Sequence, residues 1–229
     1  MRANLIISGG IFHPFDESSE ALATILRDAG IESRVVNDVD AGLALLAEGD
    51  FDMLTINALR WGMMTADKYE PYRAEWAYHM PPASRDTLTG FVDSGGALLG
   101  IHTASICFDD WPEWGELLGG SWQWGISHHP PSGPVSVWPT GHAHSVTEGI
   151  QPFELSDEIY HQLALEADVE PLLLGDCEAC EGPQPVCWAR EFGNGRVVYD
   201  ALGHDAASLN HPQHRQLLGQ AAHWLLGER

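Results

Sequence analysis

Histidine and carboxylate side chains at a few points of this chain are of the types that transfer protons or bind metal ions. The main candidates are His102 and His204, each of which follows an apolar run, together with His129 and the adjacent Asp157-Glu158. A neutral imidazole accepts a proton near neutral pH, and a neighbouring carboxylate holds its tautomer, so this set suits general acid–base catalysis. The same nitrogen and oxygen atoms suit a divalent metal ion such as Zn²⁺. The residue types leave both interpretations open.

Each candidate also has an ordinary structural explanation. His129 precedes Pro130-Pro131 and would cap a turn, Asp157-Glu158 would cap a following helix, and His204 would bond to nearby backbone. We nevertheless expect His102, Glu158 and His204 to be catalytic, and Trp124, His129 and Asp157 to bind substrate. Any metal is expected on His102, His129 and His204.

His102 stands at the apex of a strand–turn–helix pattern. The run Gly95-Gly96-Ala97-Leu98-Leu99-Gly100-Ile101-His102-Thr103-Ala104-Ser105 leads from glycines through a short apolar stretch into a Gly-x-His-x-Ala turn. Such a turn holds its central residue on a strained backbone at the carboxyl end of a parallel sheet. Because turns of this shape usually present Ser or Cys, His102 argues against acyl-enzyme chemistry. The alternative is a buried strand and a helix between which His102 only caps a turn.

Apolar runs alternate with helical patterns along the chain. Strands are predicted at 4–10, 31–37, 51–57, 134–138, 171–174, 186–191 and 196–202. Helices are predicted from Ser18 or Ser19 to Ala29, and over 41–47, 84–93 and 208–226. This rhythm predicts an α/β fold with a mostly parallel, doubly wound sheet, in a single domain over residues 1–229.

An aromatic-rich segment, residues 58–82, interrupts this rhythm. Its large side chains are Trp61, Met63, Met64, Tyr69, Tyr72, Trp76 and Tyr78. It would form a lid over the carboxyl edge of the sheet, where ligands bind in such folds. The alternatives are a peripheral helix with a small core of its own, or a contact in a homo-oligomer. Further indoles that would pack on sugar rings or in the core are Trp111, Trp114, Trp122 and Trp124.

The charge balance excludes several classes of partner. The 229 residues include 11 Lys and Arg against 33 Asp and Glu, a formal charge of −22. Such a surface repels phosphate backbones and anionic lipids, so we expect neither nucleic acid nor a membrane as partner. No nucleotide cofactor is expected either, whereas a small carbohydrate or a metal cation is compatible with this charge. With no signal peptide and no apolar run of membrane-spanning length, the expected location is cytoplasmic.

The four cysteines do not complete a metal site. Cys177 and Cys180 have zinc-type spacing, and Cys187 follows, but there is no second pair. We therefore expect surface-loop thiols that a cytosolic compartment keeps reduced.

Several segments, in this order, resemble the ThuA-like family, the trehalose-utilisation relatives within the class I glutamine amidotransferase-like superfamily. They are residues 95–102, the Gly119-Gly120 turn, and residues 127–131, 144–149, 153–160, 185–199 and 202–204. The resemblance implies a flavodoxin-like three-layer α/β sandwich. In the amidotransferases the elbow carries a Cys, and a His–carboxylate pair follows a late strand. Here those positions hold His102, and His204 with Asp205, while Cys107 is expected inside the next helix, so glutaminase chemistry is not expected.

The link of this family to disaccharide catabolism suggests an enzyme acting on glycosides or 3-keto-glycosides. A 3-keto group acidifies the neighbouring C–H bonds, so a His or Glu base would drive elimination of the leaving group, and water addition would complete hydrolysis. Two alternatives remain. One is a non-catalytic sugar- or metal-binding module, and the other is an amidohydrolase with an unrecognised nucleophile.

Overall fold

A nine-stranded sheet forms the centre of the structure, a computed structural model that describes residues 2–228. The strands are β1 (Arg2–Gly10), β2 (Ile31–Val36), β3 (Met53–Leu59), β4 (Ala97–Ile101), β5 (Gly120–Ser121), β6 (Gly133–Pro139), β7 (Phe153–Asp157), β8 (Ala164–Leu165), β9 (Glu170–Asp176), β10 (Gln184–Phe192) and β11 (Gly195–Asp200). Their order in the sheet is β2-β1-β3-β4-β11-β10-β9-β6-β7, and β5 pairs with β8 in a separate small sheet.

The large sheet is mixed. From β2 to β11 the neighbouring strands are parallel, as the alternation of strands and helices predicts. Beyond β11 each neighbour is antiparallel. The antiparallel half includes β7, which the sequence patterns did not predict. Apolar alternation indicates that a segment is a strand, but it does not determine the direction in which the strand pairs.

Helices cover both faces of the parallel half. All seven residues of β3 are therefore buried, whichever face their side chains point to. The helices are α1 (Phe15–Asp28), α2 (Val39–Ala47), α3 (Arg73–Trp76), α4 (Pro82–Asp93), α5 (Pro112–Leu118), α6 (Ala206–Leu209) and α7 (Pro212–Leu225). One layer brings α1 against α7, and another brings α2 against α4. The coarse prediction of an α/β fold is therefore confirmed.

Two predicted helix boundaries are corrected. Helix α1 begins at Phe15, so Ser18 and Ser19 do not cap it. Both are buried within the helix, and both accept hydrogen bonds from the Asn57 amide at 2.9 Å. The predicted closing helix is divided into α6 and α7, because Pro212 cannot continue the hydrogen-bond ladder of a preceding helix.

One edge of the sheet gathers the loops that carry the candidate residues. The parallel strands β1, β4 and β11 end at this edge. An even number of antiparallel steps separates β11 from β7, so β7 ends there as well. The loops after these four strands carry His13, His102, His204 and Glu158, respectively.

The cysteines differ from the expectation of free surface thiols. Cys177 and Cys180 form a disulfide, while Cys107 and Cys187 are free and buried. Residues separated by two positions in a tight loop come close enough to be bridged without a second cysteine pair. Asp157 is the last residue of β7, so the alternative explanation that it caps a following helix does not hold.

Between Arg2 and Glu228, none of the helices combines the length and apolar character that crossing a membrane requires.

Candidate functional site

His102 occupies a strained turn directly after β4. Its φ is +46°, in the left-handed region that non-glycine residues rarely adopt, and it opens a short 3₁₀ turn over His102–Ile106. The turn is fastened from two sides. The Tyr199 hydroxyl donates to the His102 carbonyl at 2.6 Å, and the Thr103 hydroxyl donates to the Ala58 carbonyl at 2.6 Å. The strand-to-turn placement of His102 agrees with the sequence prediction, and the surrounding bonds hold the strained backbone in place.

The backbone determines the tautomer of His102. Its Nδ1 lies 2.6 Å from the Ala201 carbonyl, which can only accept, so Nδ1 carries the proton. Nε2 is then the basic nitrogen, and the Tyr160 hydroxyl lies 3.0 Å from it as a donor. Burial is the main cause that raises the pKa of Tyr160 well above its usual value, which keeps this phenol protonated.

Glu158 lies at the centre of three imidazoles. Its Oε2 is 3.4 Å from His102 Nε2, 3.5 Å from His129 Nδ1 and 3.6 Å from His204 Nδ1. Burial by itself would raise the pKa of this carboxyl, but hydrogen bonds from the protonated forms of His102 and His204 outweigh it and hold the pKa well below its usual range. In return, Glu158 raises the pKa of His204 against the effect of burial. The carboxylate is therefore ionised.

His13, which the sequence analysis did not select, completes the cluster. It follows β1, and its ring centroid lies 5.1 Å from that of His102 and 4.8 Å from that of His204. Burial, together with repulsion from His102 and His204, lowers the pKa of His13 to about 3. This imidazole is therefore neutral, the form that coordinates metals.

We call His13, His102, Glu158 and His204 the tetrad. One ligand atom from each lies within 4.8 Å of all the others. Both ring nitrogens of His13, Nδ1 of His204 and Oε2 of Glu158 are buried and have no hydrogen-bond partner within the described chain. Buried polar atoms are rarely left without partners, and these four side chains form a cluster that could hold a metal ion. Three imidazoles and a carboxylate suit Zn²⁺ or a similar divalent ion.

Asp157 supports the tetrad from behind. Its carboxylate accepts from the backbone N–H of Glu158 at 2.7 Å, of Gly203 at 2.8 Å and of His204 at 3.4 Å, and also from the Ser208 hydroxyl. Asp157 is 1% exposed and does not line the cavity described below. The structure thus gives Asp157 a positioning role where the sequence predicted contact with substrate.

A buried ion pair continues this network. Nε2 of His214 lies 2.8 Å from the Asp200 carboxylate, and its Nδ1 lies 3.0 Å from the Ser208 carbonyl. The other Asp200 oxygen accepts from the Leu202 N–H at 3.0 Å. The loop that carries His204 is therefore held at both of its ends.

The tetrad opens into a cavity of 460 Å³, which we call the inner cavity. Glu158, His13 and His204 form its polar end, and His129 and Trp124, both predicted to bind substrate, lie on its wall. His129 is outside the tetrad, because its Nδ1 lies 2.9 Å from the Pro130 carbonyl and therefore donates to it. The other lining residues are Phe12, Leu59, Trp61, Lys68, Tyr69, Tyr72, Ile106, Trp122 and Tyr160.

The aromatic segment combines two of its predicted roles. Trp61 and Met63 are buried with Phe15 and Leu59 in a small core separate from the main one. Tyr69 and Tyr72, from the same segment, form a wall of the inner cavity. The segment is therefore anchored by its own core while it encloses the carboxyl edge of the sheet.

Cys107 is not placed as a nucleophile. Cys107 was predicted to lie inside a helix, but it directly follows the 3₁₀ turn. Its thiol donates to the Ala58 carbonyl at 3.0 Å. Burial raises the pKa of this thiol to about 12, so the reactive thiolate does not form near neutral pH.

Two site residues were missed by the sequence analysis. Tyr160 lies two residues beyond Glu158, and that spacing was a usable signal. His13 follows Gly9-Gly10, the glycine turn that ends β1, so a histidine just after a predicted parallel strand was also a usable signal.

Comparison with known proteins gives the family. The model of the ThuA family, described as trehalose utilisation, matches residues 5–225. The sequence matches no curated protein.

Solved structures share the fold at low identity. A protein described as ThuA-like from Parabacteroides merdae is 16% identical with a TM-score of 0.79, over 99% of this chain and 91% of that one. A second, from Bacteroides uniformis, is 20% identical with a TM-score of 0.71, over 98% and 91%. A cytoplasmic protein of Salmonella typhimurium LT2 is 15% identical with a TM-score of 0.62, over 98% and 97%. The family match covers nearly the whole sequence, and the chain therefore belongs to the ThuA family.

Proposed function

We propose that this protein is a metal-assisted enzyme of carbohydrate utilisation that cleaves glycosides or 3-keto-glycosides. The observation that carries the proposal is the convergence of unpartnered buried nitrogen and oxygen atoms in the tetrad at the end of a cavity. The description of the family, trehalose utilisation, supports a sugar as substrate, and the net charge of −22 is compatible with a neutral sugar and a cation.

The roles follow from which groups a metal would occupy. A divalent ion would polarise the keto group of the substrate and acidify the adjacent C–H bond. The tetrad side chains would hold it, which leaves His129 and Tyr160 to exchange protons with the substrate. Nδ1 of His129 donates to Pro130, so its Nε2 would accept the proton from carbon as the glycosidic C–O bond breaks. The protonated phenol of Tyr160 would donate to the leaving oxygen, and water addition would complete the hydrolysis.

Two further features accompany this proposal. The order β2-β1-β3-β4-β11 is that of a flavodoxin-like sheet, so we assign the parallel half to that three-layer architecture. A cytoplasmic location is supported by the description of the Salmonella protein.

The first experiment measures metal content. Elemental analysis of the purified protein should find about one divalent ion per chain, with the ion lost in His13→Ala, His102→Ala and Glu158→Gln. His129→Ala is the matched control, since His129 touches Glu158 but lies outside the tetrad. This variant should keep the metal and lose activity.

The second experiment measures turnover on a panel of glycosides, 3-keto-glycosides and glutamine. Release of the leaving sugar from a keto-glycoside supports the proposal. Metal binding without turnover of any sugar supports a binding module, and release of ammonia from glutamine supports an amidohydrolase. A wild-type protein that binds no divalent ion would contradict the metal-assisted mechanism.

A further inference from the structure

A second concavity adjoins the inner cavity. This outer groove has a volume of 590 Å³ and shares Lys68, Tyr69, Trp122, Trp124 and His129 with the inner cavity. Its remaining lining residues are Thr65, Ala66, Gly125, Ser127 and His128. Each concavity alone has the size of pockets that take a small ligand, roughly 300–1,000 Å³. The five shared residues place the outer groove directly beside the cavity into which the tetrad opens.

The two concavities have an aromatic wall, to which the inner cavity contributes Trp61 and the shared lining contributes Tyr69, Trp122 and Trp124. Trp61 and Trp124 are stacked with ring centroids 6.1 Å apart, and Tyr69 meets Trp61 edge-on at 5.2 Å. Trp122 in turn meets Trp124 at 6.2 Å. Because these rings brace one another, the faces that they present are organised before a ligand arrives.

The same wall carries hydrogen-bond donors that have no partner. The indole Nε1 atoms of Trp61 and Trp122 are buried and unpartnered within residues 2–228. Trp61 is 1% exposed and lines the inner cavity, so this unpartnered N–H belongs to a side chain of the site. Aromatic faces beside N–H donors suit a ring that is apolar on its faces and carries hydroxyls at its edge.

The charges along the outer groove favour a hydroxyl-bearing ligand over a cation. The chain has 33 acidic residues, but no Asp or Glu is among the residues that line the outer groove. Lys68 is the only lysine of the sequence and forms no ion pair within the described chain. Its ammonium group lies 4.9 Å from the centroid of the Tyr69 ring, at the point where the two concavities meet. There it can donate to an oxygen that bridges them.

We propose that the outer groove is a second sugar subsite, which holds the leaving ring while the inner cavity holds the ring that reacts at the tetrad. This inference rests on the proposed function. The substrate is then a glycoside of two sugar rings, bridged beside Lys68 and packed along Trp122 and Trp124.

The test fills the outer groove without touching the inner cavity. Thr65 is exposed and lines only the outer groove, so Thr65→Trp would block it. The probes are trehalose, with two rings, and methyl α-glucoside, with one, and binding is measured by calorimetry. The wild type should bind trehalose at least tenfold more tightly, and Thr65→Trp should remove that preference while methyl α-glucoside affinity stays within twofold.

The control is Ser94→Trp, an exposed substitution at the end of α4. It should leave both affinities unchanged, and unchanged metal content should verify that both variants are folded. Equal binding of the two sugars by the wild type, or an unchanged preference in Thr65→Trp, would overturn the second subsite while leaving the proposed function in place. Binding of neither sugar would overturn the second subsite, while turnover of the keto-glycoside panel tests the proposed function separately.

Discussion

The carboxylate of Asp157 accepts the backbone N–H of Gly203 at 2.8 Å, and this bond joins the end of β7 to the loop after β11. The two segments are far apart in sequence, yet they carry Glu158 and His204, whose facing atoms lie 3.6 Å apart. The buried carboxylate of Asp157, which does not line the inner cavity, thus determines the spacing of Glu158 and His204, two side chains of the tetrad.

Asp157→Asn should loosen this arrangement. An amide has one acceptor oxygen, so at least one buried N–H would lose its partner, at a cost of about 1–3 kcal/mol in the free energy of unfolding. Loss of such support typically lowers metal affinity about 10–100-fold. Urea unfolding and metal titration measure the two effects. Asn210→Ala, an exposed change at the end of α6, is the control, and wild-type metal affinity in Asp157→Asn would contradict the positioning role.

The backbone of His102 predicts an unusual order of stabilities. At φ +46° an alanine retains the strain, whereas glycine adopts this conformation freely. Both substitutions remove the imidazole, so His102→Gly should be more stable than His102→Ala by about 1 kcal/mol. Urea unfolding of the two variants measures the difference. A more stable alanine variant would show that the turn is not strained in solution.

Tyr160→Phe separates proton donation from metal binding. The variant lacks only the hydroxyl, which is not one of the tetrad's ligand atoms, so metal content should be unchanged. Loss of a general acid typically costs about 10²–10⁴ in rate, and kcat on a keto-glycoside should fall within this range. Unchanged kcat would remove Tyr160 from the proposed mechanism.

The His214–Asp200 pair predicts a pH-dependent contribution to stability. Burial lowers the pKa of His214, but the Asp200 carboxylate outweighs it and leaves the pKa raised. A raised folded-state pKa stabilises the fold fully below the unfolded value of about 6.5, and this contribution is lost as pH rises through the folded value. The difference in unfolding free energy between wild type and His214→Gln should therefore shrink from pH 6 to pH 9. A constant difference would show that His214 does not titrate in this range.

Cys107 should be dispensable for chemistry. Its pKa of about 12 and its burial predict slow alkylation of the native protein at neutral pH. Cys107→Ser, which keeps a donor for the Ala58 carbonyl, should retain the wild-type rate on any substrate turned over. Loss of an ammonia-releasing activity on this substitution would restore the thiol mechanism.

Much of the fold follows from local patterns in the sequence. Apolar runs beside helical patterns predicted β1 to β4, because burial of a strand shows in its own residues. The glycines around His102 indicated the turn that presents it, because the backbone conformation of a tight turn depends on neighbouring residues. The histidine at the end of β11 was found in the same way.

Only the tertiary structure decided which residues meet. The direction of β6, β7, β9 and β10 depends on pairing across the sheet, and that direction brings Glu158 to the edge where His102 lies. His13 joined the tetrad and His129 did not, because the turn after β1 folds inward while His129 Nδ1 bonds to a neighbouring carbonyl. The contacts within the tetrad join residues distant in sequence, and their geometry is determined by packing of the whole chain, which no local pattern encodes.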